Sequence, residues 1–128
     1  MTDSDNKILY VEDEEDIRTV ARISLETVGG FIVKICASGK EALQVVEDFK
    51  PDLILLDVMM PDMDGPATLL EIRKIASLKN VPAAFMTAKV QANEIEHFYS
   101  LGAVDVIPKP FDPMTLAERV GKLLKKEA

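Results

Sequence analysis

Four apolar runs in this chain each lead into a residue able to do chemistry. Ile8-Leu9-Tyr10-Val11 leads into Glu12-Asp13, Leu53-Ile54-Leu55-Leu56 into Asp57, and Val81 to Met86 into Thr87, while Val104 to Ile107 ends near Lys109. Asp57 is followed at once by Val58-Met59-Met60-Pro61, a turn. A buried strand that stops at one carboxylate delivers a single reactive acid to the edge of a sheet. Three carboxylates, one hydroxyl and one ammonium at strand ends suggest a Mg²⁺-assisted phosphoryl site with Asp57 as nucleophile. Crowded carboxylates repel, and without a counter-charge some of them would hold protons. Mg²⁺ relieves the crowding, because it prefers oxygen ligands and commonly takes one or two carboxylates plus a phosphate.

Each residue also has a plainer reading. Glu12 and Asp13 serve equally well as N-terminal acids of a first helix, favoured by its dipole, and Glu14, Glu15 and Asp16 extend the same acidic run. Thr87 alone is an ordinary strand-end residue, and Lys109 alone a solvated lysine. Asp57 is harder to explain away, since an isolated carboxylate at a buried strand end costs free energy. Pro108 and Pro110 flank Lys109 and restrict its backbone, which suggests that the lysine is held in place. His97, beside Phe98 and Tyr99, is far in sequence from the acids and reads as a surface or half-buried helix residue. Cys36, the one cysteine, reads as a small buried hydrophobe.

The elements that must position these groups alternate along the chain. Lys7–Val11, Phe31–Cys36, Leu53–Leu56, Ala83–Met86 and Val104–Ile107 read as strands, and the middle one is apolar throughout, as a strand covered on both faces should be. Glu14–Val28 reads as a helix with Ile17, Val20, Ala21, Ser24 and Val28 on one face, stopped by Gly29-Gly30. Ser38 is a natural N-cap, and Glu41 completes a capping box for a helix carrying Ala42, Leu43, Val45, Val46 and Phe49. Gly65-Pro66 opens a helix expected to reach about Ser77, a fourth runs from about Gln91 to Leu101 and ends at Gly102, and Asp112-Pro113 opens the last. Five strands alternating with five helices imply an α/β fold, a parallel sheet covered on both faces.

The chain has 128 residues, enough for one domain with a core of its own. A single domain over residues 1–128, with its core at about 7–126 and no output domain, is expected. The net charge of −7 argues against direct binding to nucleic acid, which needs clustered Lys and Arg, and against an anionic membrane surface. One cysteine allows no internal disulfide, no apolar run approaches the length of a membrane span, and Met1 to Lys7 lacks the pattern of a secretory signal. These features imply a cytoplasmic protein.

In order along the chain, Glu12-Asp13, Asp57 with Met60-Pro61 and Asp64-Gly65, Thr87-Ala88, and Lys109-Pro110-Phe111 resemble the motifs of a response-regulator receiver domain. The resemblance covers roughly Lys7 to Lys126. It implies the flavodoxin-like strand order 2-1-3-4-5, which brings Glu12, Asp13 and Asp57 together at the switch point. It further implies that Asp13 and Asp57 bind Mg²⁺ directly, Glu12 directly or through water, and Met59 through its backbone carbonyl. Asp57 would accept a phosphoryl group from a histidine kinase or histidine phosphotransfer protein, Lys109 would neutralise charge, and Thr87 would hydrogen-bond the phosphoryl group. The chain would be a signalling phosphoacceptor and not an enzyme in the usual sense, catalysing only its own phosphorylation and dephosphorylation. The family also implies a cis Lys109-Pro110 peptide. It implies readout by a downstream effector protein through the face of the fourth helix, fifth strand and fifth helix, as a monomer or a phosphorylation-dependent homodimer. Asp105 and Arg119 are candidates to pair across such a dimer.

The chain departs from the family pattern at several places. Val106 stands where an aromatic switch residue is common, so activation is expected to move the Thr87–Val90 loop with little aromatic signature. Glu12 replaces the commoner aspartate. Met59 and Lys89, two residues after Asp57 and Thr87, are expected to influence the lifetime of the phosphorylated state. Two other readings compete. An aspartyl-intermediate phosphatase usually has a second aspartate two places after the nucleophile, where this chain has Met59. A flavin-binding relative needs a phosphate-cradling loop after the first strand, where this chain has Glu12-Asp13-Glu14-Glu15-Asp16.

Overall fold

The computed structural model describes residues 6–88 and 91–126, without the Lys126 side chain. Its strands are β1 (Lys7–Val11), β2 (Ile32–Cys36), β3 (Leu53–Asp57), β4 (Ala83–Thr87) and β5 (Asp105–Pro108). They form one parallel sheet in the order β2-β1-β3-β4-β5. The helices are α1 (Glu15–Arg22, continued by a π-helical turn over Ile23–Val28), α2 (Gly39–Phe49), α3 (Gly65–Arg73), α4 (Ala92–Ser100) and α5 (Pro113–Lys126). The chain folds as expected from its alternation, with strand ends shifted by a residue or so, as is normal for such boundaries.

The pleat sorts the core into two layers. Ile8, Tyr10, Leu53, Leu55, Ala84, Met86 and Ile107 face Ala21 and Leu25 of the first helical segment and Leu116 and Val120 of α5. Leu9, Val11, Ile54, Leu56, Phe85 and Val106 pack with Ala42 and Val46 of α2, Leu69 and Ile72 of α3, and Phe98 of α4. β3 is buried at all five positions, which fits its unbroken apolar sequence and its place between β1 and β4.

The sequence caps act much as expected. Ser38 accepts the Glu41 amide at 3.1 Å, but Glu41 reaches back to the Ala37 amide at 2.8 Å, one residue ahead of the cap. Asp112, the expected cap of the last helix, accepts the Met114 amide at 2.8 Å, and Asp64, which was not expected as a cap, accepts the Ala67 amide at 2.8 Å ahead of Gly65-Pro66. Gly30 takes a left-handed φ of 74° and Gly102 one of 100°.

Two expectations need correction. The face assigned to the first helix is displaced: Ala21, Ser24 and Leu25 are buried, whereas Val20 and Val28 are 40% and 42% exposed. The π turn from Ile23 accounts for Val28, because the wider turn rotates later residues around the axis, and the Ser24 hydroxyl donates to the Pro113 carbonyl of α5; it does not account for Val20, which precedes it. The helix expected to reach Ser77 ends at Arg73, and a 3₁₀ turn follows at Ala76–Leu78. The Arg73 guanidinium donates to the carbonyls of Leu78 and Val81, at 2.8 and 2.6 Å, and so ties this turn to the approach to β4. Asp105 and Arg119, candidates to pair across a dimer, also lie close enough on β5 and α5 to pair within the chain, through contacts of 2.6 and 2.9 Å.

Gly65 is where the backbone leaves no room for a side chain. A Cβ there would lie 2.5 Å from the Asp57 carbonyl oxygen and 3.1 Å from Val58 Cα. Gly65→Ala should therefore push the β3–α3 loop away from the strand end and destabilise the fold by about 2–4 kcal/mol. Urea unfolding of the two proteins measures this directly, and equal midpoints would show that the loop yields freely.

Candidate functional site

Strand register alone assembles the site. Val11 lies beside Leu56, so Glu12, Asp13 and Asp57 leave the sheet side by side. Asp57 lies beside Met86, and Thr87 beside Pro108, so Lys109 enters from the next position along the edge. The Lys109 amide donates to the Thr87 carbonyl at 2.9 Å, and the Val58 amide to the Met86 carbonyl at 3.0 Å. These bonds extend the ladder past the strands and fix the loops that carry the side chains. The Lys109-Pro110 peptide is cis.

Carboxylate oxygens of Glu12, Asp13 and Asp57 all lie within 4.8 Å of one another. Glu12 is fully buried and Asp57 is 3% exposed. Lys109 Nζ donates to Asp57 Oδ1 at 2.9 Å and to Glu12 Oε1 at 3.0 Å. Glu12 Oε1 also accepts the Tyr10 hydroxyl, and Oε2 the Glu14 amide, both at 3.3 Å. Arg18 donates to the Glu12 carbonyl at 2.8 Å.

Burial is the main reason that the Asp57 carboxyl is raised to about 7; the Lys109 hydrogen bond opposes it and the Glu12 charge reinforces it. Burial alone would lower the Lys109 ammonium. Its hydrogen bonds to Asp57 and Glu12, together with their charges, outweigh this and leave it raised. Three carboxylates thus face one ammonium at a nearly dry edge. The donor set is entirely hard oxygen, which suits a hard divalent cation rather than a soft metal.

The expected residues converge, with different exposures. Thr87 is 1% exposed at the end of β4. The Met59 side chain is 61% exposed, so any part it plays in holding a cation belongs to its backbone. Val106 is buried beside Phe85, whose ring packs on Phe98 of α4 with centroids 5.3 Å apart. Lys89 and Val90, expected to tune and to move the loop after β4, lie outside the described residues. Sequence reasoning missed Tyr10 and Arg18. Tyr10 was legible in one respect: in a strand, residues two apart share a face, so Tyr10 and Glu12 project together.

A family model described as the response regulator receiver domain matches residues 8–121. The chain belongs to the response-regulator receiver family. Among its curated relatives, the alkaline phosphatase synthesis transcriptional regulatory protein PhoP of Bacillus subtilis is 38% identical over 94% of this chain and 49% of its own length. The transcriptional regulatory protein CpxR homolog of Haemophilus influenzae is 39% identical over 96% of this chain and 52% of its own. The receiver therefore spans about half the length of these relatives. The chemotaxis protein CheY4 of Vibrio cholerae superposes with a TM-score of 0.86 at 29% identity, covering 92% of this chain and 98% of that one. The receiver is a two-component response-regulator module with the CheY-like fold. No helix among its described residues is long and apolar enough to cross a membrane.

The raised Asp57 carboxyl gives a pH signature with a definite sign. A carboxyl raised by folding contributes stability below its ordinary value, and that contribution is lost as pH rises through its folded value. With divalent cations chelated, the receiver should lose stability between about pH 4 and 7, and Asp57→Asn should be more stable than wild type at pH 8 by about 1–3 kcal/mol. Urea unfolding across this range tests it; parallel pH profiles for the two proteins would mean that Asp57 is not the titrating group.

Proposed function

We propose that Asp57 is the phosphoacceptor of this receiver, working with Mg²⁺ and taking its phosphoryl group from a phosphohistidine on a histidine kinase or histidine phosphotransfer protein. The observation that carries this reading is the charge imbalance: Glu12, Asp13 and Asp57 share one buried edge with Lys109 as the ammonium bonded to two of them. Asp13 and Asp57 would hold the cation, with Glu12 acting directly or through water and Met59 supplying its backbone carbonyl. When bound, the cation would supply charge neutralisation at the phosphoryl oxygens.

The chain's own residues do the rest. A carboxylate oxygen of Asp57 attacks phosphorus, the phosphorus–nitrogen bond breaks, and the electron pair leaves with the donor imidazole. Lys109, 2.9 Å from Asp57 Oδ1, transfers its hydrogen bond to the incoming phosphoryl oxygens. The Thr87 hydroxyl donates to another of these oxygens, and its movement carries the change into the loop before α4. Water later attacks the acyl phosphate, phosphate leaves, and Asp57 is restored. Met59, exposed beside the site, and Lys89 influence how readily that water arrives. The receiver catalyses only its own phosphorylation and dephosphorylation.

Output runs through protein–protein contact at the face of α4, β5 and α5, in a cytoplasmic setting and without direct binding to nucleic acid. The state is monomeric or becomes dimeric on phosphorylation. Moving such a switch from mostly inactive to mostly active takes about 5 kcal/mol of differential stabilisation between the two states.

Intact mass after incubation with acetyl phosphate and Mg²⁺ tests the proposal. Wild type should gain one phosphoryl group and Asp57→Asn none, while Lys109→Ala should react about 100-fold more slowly. Equal labelling of wild type and Asp57→Asn would place the acceptor elsewhere.

A further inference from the structure

Tyr10 is the largest fully buried side chain of the sheet that carries a polar atom. The core layer it belongs to is apolar, with Ile8, Leu53, Leu55, Met86 and Ile107 from the sheet. A phenol in such surroundings needs an acceptor, and this one reaches Glu12 Oε1 at 3.3 Å. The same oxygen accepts Lys109 Nζ at 3.0 Å, and Oε2 accepts the Glu14 amide. The Glu12 backbone is fixed as well, its amide donating to the Cys36 carbonyl at 3.0 Å and its carbonyl accepting Arg18. Burial, then the charges of Glu12 and Asp57, push the Tyr10 hydroxyl far above its ordinary value, so it stays a donor.

Glu12 is thus claimed by two roles. Its oxygens belong to the three-carboxylate cluster, yet hydrogen bonds from the protein already hold both of them. The difference matters for the cation. Mg²⁺ is satisfied by six ligands and keeps several waters, whereas Ca²⁺ takes six to eight oxygens in flexible geometry. A carboxylate pinned by protein donors favours the smaller ion; a carboxylate free to swing inward adds an oxygen and favours the larger.

We propose that Tyr10 is a positioning residue that holds Glu12 toward Lys109 and so sets the selectivity of the site for Mg²⁺ over Ca²⁺. This rests on the reading of the acidic cluster as a divalent-cation site. With Tyr10 in place, Glu12 anchors the lysine, and Asp13 and Asp57 are left to take the cation. Without the hydroxyl, Glu12 turns to the cation and Lys109 loses part of its anchor.

Tyr10→Phe tests this, since it removes one oxygen and preserves the ring. Calorimetric titration with Mg²⁺ and with Ca²⁺ should show the ratio of Ca²⁺ to Mg²⁺ affinity rising at least fivefold. The acetyl phosphate reaction in Mg²⁺ should lose maximal rate several-fold with little change in the half-saturating donor concentration. In a Glu12→Gln background the same substitution should leave the affinity ratio unchanged. A merely structural hydroxyl would lower the melting temperature without moving the ratio, and that result overturns the proposal. So does a shift in ratio that persists with Gln at position 12, because Tyr10 would then act by another route. Failure of wild type to bind either ion would instead overturn the cation-site reading, and this inference with it.

Discussion

Asp57 is a carboxylate in a place where water cannot reach it well, held by one lysine that it must share with Glu12. Everything at the C-terminal edge of the sheet follows from that shortage of positive charge. A core composed only of its aliphatic layers would be more stable with an amide or a methyl group at this position. The fold keeps the acid by giving it one ammonium, crowding two further acids beside it, and leaving one side of the cluster partly open at Asp13. Such an arrangement is under-neutralised by construction, and a multivalent cation would relieve it.

The sheet converts this local imbalance into a geometry that can be read elsewhere. Asp57 and Thr87 end β3 and β4, and Lys109 follows β5, the three linked by backbone hydrogen bonds that run past the strand ends. A change of charge at Asp57 would therefore bear on β4 and β5 together. The second core layer joins those strands to α4 through the Phe85–Phe98 contact, with Val106 filling the adjoining space. That space holds a small branched residue, so it offers no large ring to rotate.

Much of this was legible in the residues. The apolar run ending at Asp57 located the central strand and its reactive acid, and the caps at Ser38 and Asp112 marked two helix starts through ordinary side-chain chemistry. What escaped depends on contacts distant in sequence. The π turn at Ile23–Val28 preserves an outwardly helical pattern, and Ser24 meets Pro113 only once α5 has docked. Arg73 looks like a solvated helix residue until the carbonyls of Leu78 and Val81 are seen around it. Tyr10 looks like one more apolar residue in a buried strand. Asp105 and Arg119 were recognisable as a pair, but the sequence could not say whether one chain or two would supply it.

That pair has a consequence for anything that docks on β5 and α5. Arg119 grips both oxygens of Asp105 and also the Val106 carbonyl, and Tyr99 of α4 approaches the same carboxylate at 3.4 Å. A visitor bringing its own charge to either residue must first prise the two apart. Binding there is an exchange of one ion pair for another, so the net electrostatic return is small and complementary shape has to do most of the discriminating.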